Sequence, residues 1–291
     1  MKIVIASGKG GTGKTFLSTN LFKTMESAGL TPVLVDCDAE VPNASIFIEG
    51  RPVQSLETLM FCPEIDTDKC TYCYKCQEFC TFHAITCVPA MQYIHLSVDL
   101  CHGCEACVHA CQEGAIVPGK KVVGKVTAFS NDERIRLIEA RIQEGQHSGV
   151  PVIRDAIKKA TELTTDHLIL DAPPGCSCPF VNTVLGADLV ILITEPTPFG
   201  LSDLKQTIEV LHDLQQDFCV IINRSDLGDG QMETYLQNEQ IPILASIPFS
   251  RTLADCYAQG KLVVEEDAEL AELFNQLMQS ILKYENSHHQ R

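Results

Sequence analysis

The residues with the clearest chemical purpose lie near the N-terminus, between positions 7 and 15. Glycines at 8 and 13, followed by Lys14 and Thr15, meet the pattern G-x-x-x-x-G-K-[ST]. A β-branched run at 2–6 predicts a strand before this segment, and residues 16–28 predict a helix after it, which is the context of a phosphate-binding loop. In such a loop backbone N–H groups bind the phosphates, the lysine reaches the β- and γ-phosphates, and the hydroxyl binds Mg²⁺. The expected contacts of a Mg²⁺-bound nucleotide are Gly8, Gly10, Gly11, Thr12, Gly13, Lys14 and Thr15.

Eight of the 15 cysteines form two runs with the same internal spacing, C-x-x-C-x-x-C-x-x-x-C. This spacing is the bacterial ferredoxin signature, in which the fourth cysteine of each run ligates the other cluster. We therefore expect two [4Fe–4S] clusters. Zinc is the alternative metal, but a tetrahedral zinc site does not need two interleaved runs of four cysteines. The ligands assigned to the first cluster are Cys70, Cys73, Cys76 and Cys111, and those assigned to the second are Cys101, Cys104, Cys107 and Cys80.

Two features depart from this pattern. Ferredoxins have proline after the fourth cysteine, where this chain has Thr81 and Gln112, and this leaves the local turn and the reduction potentials open. Cys62 and Cys87 fall outside both runs. Buried thiols need no chemical function, so we expect these two to be packing residues.

The phosphate-binding loop carries a second lysine, Lys9, at the start of the sequence K-G-G-T-G-K-T. This sequence resembles the deviant phosphate-binding loop of the MinD/Mrp/ParA class of ATPases, which includes the nitrogenase iron protein. The resemblance implies a nucleotide-dependent homodimer, in which the early lysine of each subunit touches the nucleotide of the other. A solvated lysine beside a polyphosphate is the alternative interpretation.

Polar residues at two further strand ends extend the same resemblance. Residues 36–43 are similar to switch I of these ATPases, which implies that Asp38 positions the attacking water near Mg²⁺ and that Asn43 contacts the nucleotide or senses its γ-phosphate. Ordinary capping after a strand would also place Asp and Asn here. Residues 171–175 are similar to switch II, which implies that Asp171 holds the Mg²⁺ shell and that the Gly175 N–H meets the γ-phosphate. The candidate catalytic residues are Lys9, Lys14, Asp38 and Asp171.

The base site and one cysteine pair complete the candidate residues. Asn223 ends a predicted strand and resembles the residue that contacts adenine in this class. Residues 223–226 also resemble the guanine motif N-K-x-D of related GTPases, but arginine in place of the lysine, together with the rest of the chain, favours ATP. Pro248, in the segment 246–249, would form a wall of the base site. Cys176 and Cys178 directly follow switch II, and either a metal that bridges a dimer or two half-buried thiols would account for them.

The predicted elements give an α/β fold, because strands at 2–6, 31–36, 167–171, 188–194, 218–223 and 243–247 alternate with helices. We expect a P-loop NTPase with a doubly wound, mostly parallel sheet. Helices are predicted at 150–163, from about 202, and at 268–284. The predicted domains are an ATPase domain formed by 1–59 and 120–291, and an inserted α+β dicluster ferredoxin domain formed by 60–119.

Composition narrows the expected partners and location. The formal net charge of −16 argues against nucleic acid or an anionic membrane as the main partner. There is no signal-peptide pattern and no apolar run of membrane-spanning length. Many cysteines without a secretion signal indicate metal or redox chemistry in a reducing compartment, so we expect a cytoplasmic protein.

The first functional hypothesis is a nucleotide-gated dimer that couples ATP hydrolysis to electron transfer through the clusters to a client metalloprotein. The second is an ATPase that carries or assembles iron–sulfur or other metal centres. The third is a positioning ATPase of the cell-division type, in which the clusters sense redox state. Fixed ferredoxin ligands favour the first over the second, and the lack of a basic amphipathic tail weighs against the third.

Overall fold

The computed structural model describes residues 1–131, 134–163 and 166–288. The strands are β1 (Lys2–Ala6), β2 (Val33–Asp36), β3 (Arg51–Ile65), β4 (Ile85–Val88), β5 (Tyr93–Leu96), β6 (Ile116–Ser130), β7 (Ile135–Ile142), β8 (Leu168–Asp171), β9 (Leu189–Thr194), β10 (Phe218–Asn223) and β11 (Ile243–Ile247). The helices are α1 (Lys14–Ser27), α2 (Lys75–Glu78), α3 (Ala106–Ala110), α4 (Val150–Leu163), α5 (Cys178–Val184), α6 (Pro198–Asp213), α7 (Gln231–Asn238), α8 (Arg251–Ala258), α9 (Val263–Glu266) and α10 (Ala268–His288).

One large sheet organises the described residues, with strand order β11-β10-β9-β1-β8-β2-β7-β6-β3. Neighbouring strands from β11 to β7 are parallel, whereas β6 and β3 are antiparallel to their neighbours. The predicted α/β fold with a mostly parallel sheet is therefore confirmed. Since β2, β8 and β1 are adjacent and parallel, the loops that follow them meet at one edge of the sheet, where ligands bind in open α/β folds.

Helices cover both faces of the sheet because each strand of its centre is apolar on both sides. On one face, α4 to α7 pack through residues such as Ile153 and Phe180. On the other face, α1 and α10 pack through residues such as Leu21 and Phe274. No helix in the described part of the chain is both long enough and apolar enough to span a membrane.

Sequence analysis did not predict β7. Charged residues at Arg136 and Glu139 interrupt its apolar pattern, yet both are buried in the fold. Arg136 is neutralised by Glu26 of α1, with Nε–Oε1 and Nη2–Oε2 distances of 2.8 and 2.6 Å. A buried charge is tolerated only when a partner compensates it, and the partner here lies 110 residues away along the chain.

A long antiparallel ribbon joins the sheet to the cysteine-rich segment. It consists of β3 and β6, each 15 residues long, paired from Arg51 with Ser130 to Ile65 with Ile116. Residues 66–115 are carried at its far end. The predicted domain limits at 59/60 and 119/120 fall inside these strands, and the domain division stays a prediction.

The cysteine-rich segment has a small core of its own, built from the duplicated sequence. Cys76 and Cys107 are buried together with Ile85 and Ile116. Each pair is separated by 31 positions, as are the first cysteines of the two runs, Cys70 and Cys101. The two halves of the duplication thus pack against each other through equivalent residues.

Candidate functional site

The phosphate-binding loop lies between β1 and α1, as predicted. Gly13 precedes α1 with φ of 105°, and an added Cβ would lie 2.7 Å from Nδ2 of Asn223, so only glycine fits. The ammonium group of Lys14 is buried and donates to Oγ of Ser7 at 3.0 Å. Burial lowers the pKa of Lys14, while the charges of Asp171 and Asp38 raise it. The loop therefore holds a cation where an anionic ligand would enter.

Asp36, which sequence analysis did not select, organises switch I. Its carboxylate accepts the backbone N–H groups of Asp38, Asn43 and Ala44 at 3.1, 2.8 and 2.9 Å. Asp36 also stands beside Asp171 in the pairing of β2 with β8. Burial and the charge of Asp171 raise the pKa of Asp36 to about 8. The only feature of the sequence that could have pointed to Asp36 is its position at the end of a strand, shortly before Asp38 and Asn43.

Asp171 has the surroundings expected of a magnesium site. Both carboxylate oxygens are buried, and the donors near them are the hydroxyls of Thr15 and Ser18. Burial raises the pKa of Asp171 to about 6, although the nearby Thr15 and Ser18 hydroxyls and Lys14 act in the opposite direction. Buried carboxylate oxygens beside a threonine hydroxyl suit Mg²⁺, which prefers oxygen ligands and retains waters. The residues present therefore fit the ion.

A cavity of about 300 Å³ opens beside the loop at this edge of the sheet. Ten of the predicted residues line it: Gly10, Gly11, Gly13, Lys14, Thr15, Asp38, Asn43, Asp171, Asn223 and Pro248. Its lining also includes Arg224 and three residues of α8, namely Leu253, Ala254 and Tyr257. No prediction covered α8, because its residues come together with the loop only in the fold. Apolar walls on one side and the charged loop on the other suit a base and a polyphosphate.

Three other predicted residues support the loop without lining the cavity. An added Cβ on Gly8 would lie 2.7 Å from the carbonyl oxygen of Asp203, so this glycine permits close packing against α6. Nδ2 of Asn223 donates a hydrogen bond to the carbonyl oxygen of Thr12 at 2.8 Å. The N–H of Gly175 donates to the carbonyl of Ser7 at 3.1 Å. Asn223 therefore braces the loop in this structure as well as lining the cavity.

Lys9 lies apart from the cavity of its own chain. Its ammonium group is 3.6 Å from Oε2 of Glu195, and one third of the side chain is exposed. Glu195 also pairs with Arg224, with an Nη1–Oε1 distance of 2.6 Å. A salt bridge to a carboxylate in its own chain thus holds Lys9 at the surface.

The structure gathers the eight run cysteines around two cavities. Cys70, Cys73, Cys76 and Cys111 line the first, and Cys80, Cys101, Cys104 and Cys107 line the second. These are the two crossed sets that the spacing predicts. Backbone N–H groups also point at the sulfurs, from Tyr72 to Sγ of Cys70 at 3.4 Å and from Ala84 to Sγ of Cys80 at 3.3 Å.

The chemistry of the donor sets fits the predicted [4Fe–4S] clusters, which stay a prediction. In the described residues, no three His, Cys, Asp or Glu side chains converge closely enough for one metal ion. In a cubane cluster each cysteine binds a different iron, so the four sulfurs stand further apart than the ligands of one ion. Four thiols around an apolar cavity with N–H groups directed at sulfur are the surroundings that such clusters require.

The remaining cysteines of interest differ in their surroundings. Cys62 and Cys87 are buried, as expected of packing residues, but Cys87 also lines the first cavity. Burial raises the pKa of Cys87, and the nearby Cys70 and Cys73 raise it further. After switch II, Cys178 is exposed, whereas Sγ of Cys176 lies 3.2 Å from Oγ1 of Thr207 in α6.

Comparison with known proteins assigns the chain to a family. Residues 3–263 match the CobQ/CobB/MinD/ParA nucleotide binding domain. The chain belongs to this family. An uncharacterized protein of Methanocaldococcus jannaschii is 31% identical over 90% of this chain and 90% of its own length. An iron-sulfur cluster carrier protein of Pyrococcus horikoshii is 20% identical over 97% of this chain and 85% of its own length.

The fold is shared with solved members of the CobQ/CobB/MinD/ParA family. The septum site-determining protein MinD of Pyrococcus horikoshii, complexed with Mg-ADP, aligns with a TM-score of 0.58 at 20% identity, covering 96% of this chain and 95% of that one. The predicted family resemblance is therefore confirmed at the level of the nucleotide-binding family and of the MinD fold. The resemblance to a dicluster ferredoxin stays a prediction.

Proposed function

We propose that this ATPase is an iron–sulfur protein, in which the nucleotide state of a homodimer controls electron transfer from two [4Fe–4S] clusters to a client metalloprotein. The crossed sets of four cysteines support the clusters. When bound, such clusters supply one-electron transfer at potentials set by hydrogen bonds and solvent exposure. The chain's part is to hold the sulfurs, direct N–H groups at them and limit access of water.

The observation that carries this proposal is a loop, residues 143–149, which contacts both switch I and the second cysteine cavity. At one end, the N–H of Ile142 donates to the carbonyl of Ala39 in switch I at 2.9 Å. At the other end, Gly149 packs so closely on Ala39 that an added Cβ would lie 3.2 Å from its Cβ. The loop is therefore anchored to switch I on both sides.

The middle of the same loop reaches the cysteine-rich segment. The ring of His147 stacks on that of His102, with centroids 5.6 Å apart and planes within 3°. His102 follows the ligand Cys101 and also stacks on Phe82 at 3.9 Å. Phe82 lies two residues after Cys80, so this aromatic stack joins both ligand segments of the second cavity.

The cysteine side of this contact is held firmly. Nζ of Lys121 on β6 donates to the carbonyls of Val98 and Cys101 at 2.7 and 2.9 Å. Because the segment is fixed to the ribbon, a displacement of switch I would move His147 relative to His102. That movement would change the solvent exposure or hydrogen bonding of the second cluster, which sets its potential.

The nucleotide site would drive this displacement through residues of known chemistry. Lys14 would neutralise the phosphates, Thr15 and Asp171 would hold Mg²⁺ and its waters, and Asp38 would orient the attacking water. Lys9 would leave Glu195 and cross to the nucleotide of the other subunit, where a second cation stabilises the charge of the transition state. Glu195 keeps Arg224 as its partner after this exchange.

A redox titration tests the proposal. The potentials of both clusters are measured with and without Mg-ATP in the wild type, in His147→Ala and in the control His95→Ala, which alters a histidine of β5 stacked on Tyr93. We expect Mg-ATP to shift the second cluster in the wild type and the control, and the shift to vanish in His147→Ala with nucleotide binding retained. Potentials that do not respond to nucleotide in the wild type would refute the gating.

A carrier of iron–sulfur clusters is the second candidate, favoured by exposed Cys178 beside switch II and by the relative named as a carrier. In a two-fold dimer, this loop would face its own copy and present four thiols. A Cys176→Ser, Cys178→Ser double mutant, purified anaerobically, tests this role. If its metal content, ATP-dependent dimerisation and cluster transfer to an apo-acceptor match the wild type, the carrier function fails and the redox proposal stands.

A further inference from the structure

The first cysteine cavity contains a fifth thiol. Besides Cys70, Cys73, Cys76 and Cys111, the residues around it include Cys87 of β4. Only 4% of Cys87 is exposed. A cubane cluster needs four thiolates, so one thiol of this cavity is in excess of the ferredoxin pattern.

The second cavity provides an internal comparison, because the two halves are related by the offset of 31 positions. The position equivalent to Cys87 is Pro118, and the cysteines that line the second cavity are the four of the predicted set. Cys62 of β3 lies beside Cys101 but outside that lining. A fifth thiol in the lining of the cavity is therefore a property of the first half alone. It is not a consequence of the fold that the halves share.

Backbone contacts keep Cys87 beside the ligands. Its N–H donates to Oε1 of Gln77 at 2.5 Å, and Gln77 follows the ligand Cys76 in α2. Nε2 of Gln77 donates in turn to Oη of Tyr74, at 3.0 Å, and Tyr74 follows the ligand Cys73. The backbone N–H of Tyr74 is directed at the sulfur of Cys87. Cys87 is thus tied to the segment that carries two of the assigned ligands.

The ligand most open to replacement is Cys73, which is exposed, whereas Cys76 is buried and Cys70 and Cys111 are half-buried. Building on the proposed clusters, we infer that Cys87 is a reserve ligand, which takes over the iron of Cys73 when that bond is lost. The Fe–S bond to Cys73 breaks and its sulfur takes up a proton. The Cys87 thiol gives up a proton as its bond to the same iron forms, so no electron is transferred.

Such an exchange would give the first cluster two ligation states with the same charge and iron count. The outer cysteine could be released to a partner or oxidised while the cluster persists. The second cluster, whose cavity is lined by its four assigned cysteines, would lose an iron or the whole cluster when its exposed ligand Cys104 is lost. The inference therefore distinguishes the two clusters by their tolerance to loss of an exposed ligand.

The test compares equivalent alanine variants of the two halves, reconstituted anaerobically. Cys73→Ala should keep the full iron and sulfide content of the wild type. The double variant Cys73→Ala, Cys87→Ala and the matched control Cys104→Ala should each lose up to half of it. Mg-ATP binding by every variant checks that the chain is folded. Equal iron loss in Cys73→Ala and Cys104→Ala would overturn the inference.

A second variant, Cys73→Ser, tests the exchange by spectroscopy, independently of the iron content. In Cys73→Ser the new hydroxyl could bind iron, so the Mössbauer spectrum separates the two outcomes. If Cys87 takes over, the spectra of Cys73→Ser and Cys73→Ala coincide and show only sulfur-ligated iron. An oxygen-ligated iron in Cys73→Ser refutes the exchange. A wild type without iron refutes the proposed clusters themselves, which is a different result.

Discussion

Binding of a magnesium nucleotide should release a proton from the pair formed by Asp36 and Asp171. Burial and the charge of Asp171 raise the pKa of Asp36 to about 8, so Asp36 is mostly protonated at pH 7. Mg²⁺ at Asp171 would cancel the charge that keeps this proton in place. We therefore expect release of part of a proton at pH 7, and of less at pH 9, where Asp36 has already lost most of its proton.

Calorimetry measures this release. Titrations of the protein with Mg-ADP in excess Mg²⁺, in buffers with different ionisation enthalpies, give the number of protons from the slope of heat against ionisation enthalpy. Asp36→Asn should abolish the release, because the amide has no proton to lose, while its single oxygen can still accept the N–H groups of Asn43 and Ala44. Glu40→Gln, in the same loop and exposed, is the matched control.

The same pair determines how the stability of the nucleotide-free protein depends on pH. Since the pKa of Asp36 is raised in the folded state, the folded chain retains a proton that the unfolded chain loses above about pH 4. The free energy of unfolding therefore falls as pH rises from about 4 to 8, and this fall should be smaller in Asp36→Asn. Equal proton release in wild type and Asp36→Asn, or release that is as large at pH 9 as at pH 7, would refute the coupling of the two carboxylates.

Other predictions concern the lysines, the clusters and the core. Lys14→Ala should weaken nucleotide binding at least tenfold, because the phosphates lose a charge-assisted hydrogen bond of about 1.5–3 kcal/mol; equilibrium binding measures this. Lys9→Ala should bind nucleotide normally but lose ATP hydrolysis, measured by an ATPase assay, and ATP-dependent dimerisation, measured by light scattering. Equal loss of nucleotide affinity in Lys14→Ala and Lys9→Ala would mean that Lys9 acts within its own chain. Anaerobic iron and sulfide analysis should give about eight irons per chain, and Cys80→Ala should disturb the cluster of the second run; stoichiometric zinc without visible absorbance would contradict the assignment. Glu26→Ala should lower the free energy of unfolding by about 3 kcal/mol, since it removes the carboxylate that pairs with the buried arginine of β7. Lys23→Ala should lower it by less than about 1 kcal/mol. Urea denaturation measures both values, and similar losses of stability in the two variants would contradict the role of burial.

The sequence alone determined the features that depend on local pattern. The apolar runs of β1 and β9 predict buried strands, and the glycine spacing before Lys14 predicts the phosphate-binding loop. The cysteine spacing predicts the crossed sets, which the fold then gathers around two cavities. Each of these predictions rests on residues within one strand, one turn or one repeated motif, where chemistry is set by near neighbours.

Only the tertiary structure decided the features that depend on partners distant in sequence. Arg136 can lie in a buried strand because Glu26 neutralises it, and no pattern within β7 reveals that partner. The contact of His147 with His102 and the placement of Cys87 beside ligands of the first cavity likewise arise from packing between separate elements. The pKa of Asp36 follows from its neighbour Asp171, which β8 brings alongside β2. Burial and proximity set the energies of these groups, and both are properties of the assembled sheet and ribbon, not of any one segment.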